Sequence, residues 1–268
     1  MYSKKGLSYL LGVPLEDLIE LAESTSGYYH PFIKQTLKRN GKLKERLIEP
    51  SIGKLKLIQR RIKNRILEPI LHRHETFIPL YGGLKGKCNI NNARIHQGKK
   101  YHFCVDIRNF FPSITNKIVF KFFRDNGFST DISYLLTKLV TINGHVPQGA
   151  PTSSHIANLV FIQTDYALKI LCDKNQIVYS RFIDDLTFSS QIDFKELTFE
   201  LLPIILLSSF KINHRKTFYS DKPVEVTGIV VKQNSLDTTD SFKQKDESLL
   251  SISAVRSRRN YAERISKA

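Results

Sequence analysis

Residues 177–190, IVYSRFIDDLTFSS, set two adjacent aspartates between runs of β-branched and aromatic residues. Strands of that composition ordinarily keep Asp out of their interior, and neighbouring like charges repel. Side chains alternate across a strand, so Asp184 and Asp185 can face one ligand together only if the backbone turns at or near them. Asp tolerates the dihedrals of tight turns and bonds its own backbone there. The run therefore predicts a β-hairpin with both carboxylates at its tip. An exposed Asp-Asp turn without chemistry is the simpler alternative.

A second stretch weighs against that alternative. CVDIRNFFPSI places Asp106 at the end of another apolar strand. Three carboxylates at strand ends suit two hard divalent cations, because Mg²⁺ prefers oxygen ligands and keeps waters and substrate phosphates in its shell. Such cations would offset the repulsion between the aspartates. Two of them about 3.5–4 Å apart stabilise both the attacking and the leaving oxygen of an in-line phosphoryl displacement. The charge agrees: 41 Lys and Arg against 25 Asp and Glu leave a net +16. That excess favours a polyanionic partner and salt-sensitive binding. Together these features point to an enzyme that works on nucleic acid.

Around these motifs the chain reads as strands separated by helices, an α/β or α+β sheet with helices packed on one face. Residues 5–26 carry apolar residues at helical spacing, with Pro14 opening a second helix. A strand, a basic turn at Arg39, Asn40 and Gly41, a second strand ending at Pro50 and a basic helix from about Lys54 to Leu71 follow. Residues 80–100 read as a loop with one helical turn, and VEVTGIVVK, 224–232, as a single strand. The tail from 240 is polar and basic, helical from about Lys243. Cys88, Cys104 and Cys172 are widely spaced and odd in number, against a disulfide framework or zinc site. No apolar run approaches the roughly 18 residues of a membrane span, and no signal-peptide h-region opens the chain. A cytoplasmic protein with no membrane partner is expected.

The ordered set of Asp106 in VDIRNFFPSI, VPQGAPTSSHIANLVF at 146–161, RFIDD at 181–185, KINHRKT at 211–217 and VTG at 226–228 resembles the successive motifs of reverse transcriptases. NARIH at 92–96 looks like the NAxxH element of the retron subgroup, and Val226, Thr227 and Gly228 match its VTG triplet. The resemblance spans roughly residues 28–232, and the order of its motifs makes it far more specific than any one of them.

It implies an α+β, right-hand polymerase fold: N-terminal helices and fingers over 1–100, a palm over 101–232 with part of the fingers inserted at about 116–147, and a short basic thumb or tail over 233–268. Asp106, Asp184 and Asp185 would be catalytic metal ligands, with the backbone carbonyl of Ile107 beside them, for two Mg²⁺ ions that Mn²⁺ could replace. Lys216 looks like the general acid for the pyrophosphate leaving group. Lys42 and Arg46 would grip the incoming deoxynucleoside triphosphate, Phe111 would crowd a ribose 2′-OH, and Gln148 and Gly149 would lie against the nascent pair. Asn92, Ala93 and His96, with Val226, Thr227 and Gly228, would help hold a structured noncoding RNA and its DNA copy. Arg256, Arg258 and Arg259 form a basic helix suited to duplex phosphates.

Four positions depart from the family pattern. Phe182 and Ile183 stand where Tyr and a small residue usually precede the aspartates. Asn109 occupies a commonly acidic position, and Ser154 replaces a usual Pro. The implied activity is reverse transcription of part of a folded RNA into short, RNA-linked DNA, in antiphage defence with an effector protein encoded nearby. The alternatives are another prokaryotic defence or intron-like reverse transcriptase, a template-independent DNA synthesiser, or a catalytically silent RNA-binding scaffold.

Overall fold

The structure, a computed structural model, describes residues 4–37, 43–244 and 251–268. The chain divides into two compact units, Met1–Phe77 with Asn109–Gln163, and Ile78–Arg108 with Thr164–Ala268.

In the first unit, helices Lys4–Leu11 and Leu15–Glu23 bury Leu7, Leu11, Leu18 and Leu21. Pro14 sits at the N-cap of the second helix, where its missing N–H costs nothing. Arg61 and Arg65 donate to the carbonyls of Leu10, Leu11 and Gly12, satisfying the C-terminal end of the first helix. Strands β1 (Phe32–Leu37) and β2 (Leu43–Ile48) form an antiparallel ribbon. The basic turn expected between them, with Lys42, lies outside the described residues. The helix Gly53–Ile62 continues through a π-helical turn, Lys63–Leu67, into Glu68–Glu75. Buried Gln59 ties it to Ser51, Tyr29 and the Leu139 carbonyl. Helices Asn116–Asp125, Thr130–Val140 and Ser153–Val160 complete this core.

The second unit holds the strands expected around the aspartates. Strands β3 (Tyr101–Asp106), β4 (Val178–Phe182), β5 (Asp185–Ser190) and β6 (Phe218–Ser220) form an antiparallel sheet in the order β4-β5-β3-β6. The 177–190 hairpin is present, and Phe103, Tyr179 and Phe188 fill one face of its sheet. A second sheet comprises β7 (Val224–Val226), β8 (Ile229–Val231) and β9 (Leu236–Thr238). The stretch 224–232, expected as one strand, is thus two strands joined by Thr227 and Gly228, at φ 48° and 84°. Positive φ at both central residues is the type I′ hairpin signature, carried here by Thr-Gly instead of the usual Asn-Gly.

A small core joins this hairpin to the C-terminus. Ile90, Ala93, Val224, Val226, Ile229, Val231, Leu236 and Ile265 bury one another, with Tyr261 packed against them. The helix Ile252–Ser266 is therefore docked by its apolar side. Among the described residues, no helix is long and apolar enough to cross a membrane. The three cysteines are free.

Candidate active site

The register of the sheet brings the carboxylates together. Asp106 ends β3 directly opposite Asp185, which begins β5. The two-residue turn Ile183-Asp184 closes the β4–β5 hairpin, with Phe182 paired to Asp185 across it. Asp184 is pinned from the neighbouring strand, because the Ile107 N–H donates to its backbone carbonyl at 2.8 Å. The sequence-predicted metal set of Asp106, Ile107, Asp184 and Asp185 thus occupies one corner of one sheet.

The KINHRKT stretch supplies the rest of that corner. Lys216 Nζ donates to Asp106 Oδ2 at 2.5 Å and Asn213 Nδ2 to Asp106 Oδ1 at 2.7 Å. The Asn213 N–H also donates to the Asp106 carbonyl at 2.8 Å. Asn213 was not among the residues expected from the sequence, although it lies in the same short motif as Lys216. Burial, with Asp184 and Asp106 close by, pushes the Asp185 carboxyl up to about 7, against the pull of Lys216. Burial alone would lower the Lys216 ammonium, but its hydrogen bond to Asp106 and the three carboxylates outweigh that and raise it.

Asp106, Asp185 and Lys216 line a cleft of about 550 Å³ whose other walls include Cys104, Phe182, Arg215, Thr227 and Gly228. The Cys104 thiol, pushed up to about 12 by burial and then by Asp185, stays protonated and unreactive.

The donor set suits a hard cation. With the Ile107 carbonyl beside the carboxylates it is all oxygen, and burial, then Asp184 and Asp106, raise Asp185, a cost to its charged form that a cation would offset. Among the described residues, no three such side chains are gathered closely enough to cage an ion unaided. Mg²⁺ bound by one or two carboxylates completes its shell with water and phosphate oxygens, so an open corner of this kind fits it.

The nucleotide candidates belong to the first unit. Arg46 lies on β2 opposite Lys34. Phe110 is buried edge-on against Phe161, whereas the Phe111 ring is only partly covered. Gln148 accepts from the Glu49 N–H through its carbonyl at 2.8 Å. Gly149, at φ +116°, lies so near β2 that a Cβ would stand 3.0 Å from Ile48 Cγ2. That closeness and that φ together require glycine.

The RNA candidates need correction. Asn92, Ala93 and His96 have no exposed surface, and Val226 is core. None of these four side chains can touch RNA directly. They form a clasp instead. Ser180 on β4 donates to Asn92 Oδ1 at 2.6 Å, and Asn92 Nδ2 reaches Thr227 Oγ1 at 3.4 Å. His96 Nε2 meets Ser180 Oγ and His96 Nδ1 meets Ser189 Oγ, both at 2.7 Å. With the Ser180 proton spent on Asn92, His96 Nε2–H must donate to Ser180 and Nδ1 must accept from Ser189. Burial, then His102 and Lys99, push His96 down to about 3, which keeps it neutral. Only Thr227 and Gly228 of the VTG triplet reach the surface, at the hairpin tip. In the C-terminal helix Arg256 and Arg259 are exposed, while Arg258 stacks over Phe242 and donates to its carbonyl.

The profile of the family described as reverse transcriptase (RNA-dependent DNA polymerase) matches residues 37–231. The chain is 36% identical over 241 residues to the retron Se72 reverse transcriptase of Salmonella heidelberg, covering 86% of this chain and 62% of that protein. It is 33% identical over 154 residues to the retron Ec86 reverse transcriptase of Escherichia coli, covering 55% of this chain and 47% of that one. The chain therefore spans less than two thirds of either relative's length. Among solved structures it resembles a telomerase from Candida albicans in complex with a fragment of telomeric RNA, at TM-score 0.52 and 12% identity over 85% of this chain and 52% of that one. At that identity the likeness speaks for the fold alone, and it bears out the α+β, right-hand polymerase fold.

Proposed function

Because the chain belongs to the reverse transcriptase (RNA-dependent DNA polymerase) family, we propose that it polymerises DNA on an RNA template at the Asp106–Asp184–Asp185 corner. The observation that carries this reading is the pairing of Asp106 with Asp185 across adjacent strands, with Asp184 at the turn beside them and Lys216 within reach.

Asp106, Asp184, Asp185 and the Ile107 carbonyl would hold two Mg²⁺ ions, whose chemistry is to activate the attacking 3′ oxygen and offset charge on the leaving one. Lys216, kept protonated by its carboxylate neighbours, donates its Nζ proton to the departing pyrophosphate. In the first unit, Arg46 binds triphosphate oxygens bidentately, Phe111 crowds a 2′-OH, and Gln148 and Gly149 offer a flat backbone to the new base pair. Lys42 would act with Arg46.

The substrate is a structured noncoding RNA, copied into short RNA-linked DNA of the msDNA kind, in the cytoplasm and in antiphage defence with a nearby-encoded effector. The relatives' names and the net charge of +16 support an RNA partner. Its contacts are assigned to Thr227, Gly228, Arg256 and Arg259. Expression with the native flanking DNA, followed by nuclease treatment of the nucleic acid that co-purifies, tests this. A discrete RNA-linked DNA made by the wild type and absent from the Asp184→Asn, Asp185→Asn variant is expected. RNA without DNA in both samples would favour a silent scaffold, and DNA without attached RNA another kind of reverse transcriptase.

A further inference from the structure

Ile183, the first turn residue before the catalytic aspartates, has φ 60°, in the left-handed region. Glycine enters that region freely and a β-branched residue does not, so the turn must be held there by its surroundings. Three contacts hold it. Arg181 Nη1 donates to the Ile183 carbonyl at 2.9 Å. The Ile107 N–H fixes the next carbonyl, that of Asp184. Gly82 packs so closely that a Cβ would stand 2.6 Å from Ile183 Cγ1 and 2.7 Å from its nitrogen.

Arg181 is itself immobilised. It has no exposed surface, and its Nε and Nη2 donate to Asp165 Oδ1 and Oδ2 at 2.8 and 2.6 Å. The Tyr179 hydroxyl donates to the same Asp165 Oδ1 at 2.7 Å. On the backbone, the Arg181 N–H donates to the Pro79 carbonyl and its own carbonyl accepts from the Tyr81 N–H. A fully buried ion pair adds little stability over apolar residues of similar volume. What an apolar pair could not do is aim a third guanidinium nitrogen at one carbonyl.

The geometry points to Arg181, anchored by Asp165, as a positioning residue that clamps the Ile183 carbonyl and so fixes the direction in which Asp184 and Asp185 project. This rests on the polymerase reading above. Arg181 touches no substrate and acts through the turn. It also accounts for how the β-branched Ile183 is accommodated in this turn: Gly82 provides the space and Arg181 the restraint.

The test removes the pair without stranding a charge. Asp165→Asn with Arg181→Met leaves Tyr179 an acceptor and removes the clamp together with both buried charges. The expected result is a melting temperature near that of the wild type and a kcat for extension on an RNA template lower by about 10- to 100-fold. The deoxynucleotide KM should hold, and half-maximal Mg²⁺ should rise. Adding Ile183→Gly, which adopts the turn unaided, should recover at least about tenfold of the rate. Mn²⁺ binding followed by electron paramagnetic resonance should weaken and recover in parallel. Arg181→Lys, which keeps the charge but not the fork, is the second variant should the double one fold poorly, and the same rate loss is expected. Full activity with an unchanged Mg²⁺ requirement, or no recovery on adding Ile183→Gly, would overturn the clamp. A wild type that extends no primer would instead defeat the polymerase reading, and the Mn²⁺ pattern would still decide the clamp.

Discussion

Acidification should loosen the second unit through His96, by an amount the structure sets. Its imidazole is enclosed, donates to Ser180, accepts from Ser189, and is held down to about 3 by burial and then by His102 and Lys99. In the unfolded chain it titrates near 6.5. A base whose folded value is depressed contributes stability in full above the unfolded value and loses it as pH falls towards the folded one. Between pH 7 and pH 5 the loss attributable to His96 is ~2 kcal/mol, rising to ~3 kcal/mol at pH 4. Other buried histidines, His102 and His155, are displaced in the same direction, so His96 must be isolated by difference. His96→Gln keeps one donor and one acceptor and cannot titrate. Urea unfolding followed by circular dichroism, at pH 7 and pH 5 on both proteins, gives that difference. The variant should start less stable by ~1–3 kcal/mol and should lose ~2 kcal/mol less than the wild type on acidification. Equal losses in the two proteins would refute the neutral, doubly bonded histidine.

Three further outcomes are expected at the proposed site. Gly82→Ala places a methyl 2.6 Å from Ile183 Cγ1 and 2.7 Å from backbone nitrogen. The turn must therefore shift by several tenths of an ångström, and primer extension should slow by about 10- to 100-fold while circular dichroism is unchanged. Lys216→Ala should lower single-turnover kcat by about 10²- to 10⁴-fold, and a wild-type rate would remove Lys216 from the chemistry. Phe111→Ala should raise the ratio of ribonucleotide to deoxynucleotide kcat/KM by about 10-fold or more; an unchanged ratio would return Phe111 to a packing role.

The placement of the three carboxylates was legible because its signals are local. Two adjacent aspartates in a β-rich run demand a turn, and Asp106 at a strand end demands a partner strand; the register of β3 with β5 supplied both. The reading of 224–232 as one strand missed a hairpin because Thr-Gly is a weaker turn signal than Asn-Gly. The strands Phe218–Ser220 and Leu236–Thr238 are three residues each, too short to impose a period on the sequence. NARIH went astray for a different reason. Its RNA role came from resemblance to a family element, which does not distinguish a surface ligand from a structural residue, and Asn92 and His96 are buried and paired with Ser180, Ser189 and Thr227. Those partners lie 84 to 135 residues away in the chain, so only tertiary structure reveals them. The same holds for Arg181, whose anchor Asp165 sits on the helix Ile162–Lys174.

Extension of a labelled primer on an RNA template, with deoxynucleotides and Mg²⁺, by the wild type beside Asp185→Asn, tests the proposed activity most directly. The wild type should lengthen the primer with template-directed deoxynucleotides, chelation should stop it, and Asp185→Asn should lower the rate by at least about 10³-fold, as expected when one carboxylate of a two-metal site is neutralised. Equal extension by both proteins, or none by the wild type, would contradict catalysis at the Asp106–Asp184–Asp185 corner.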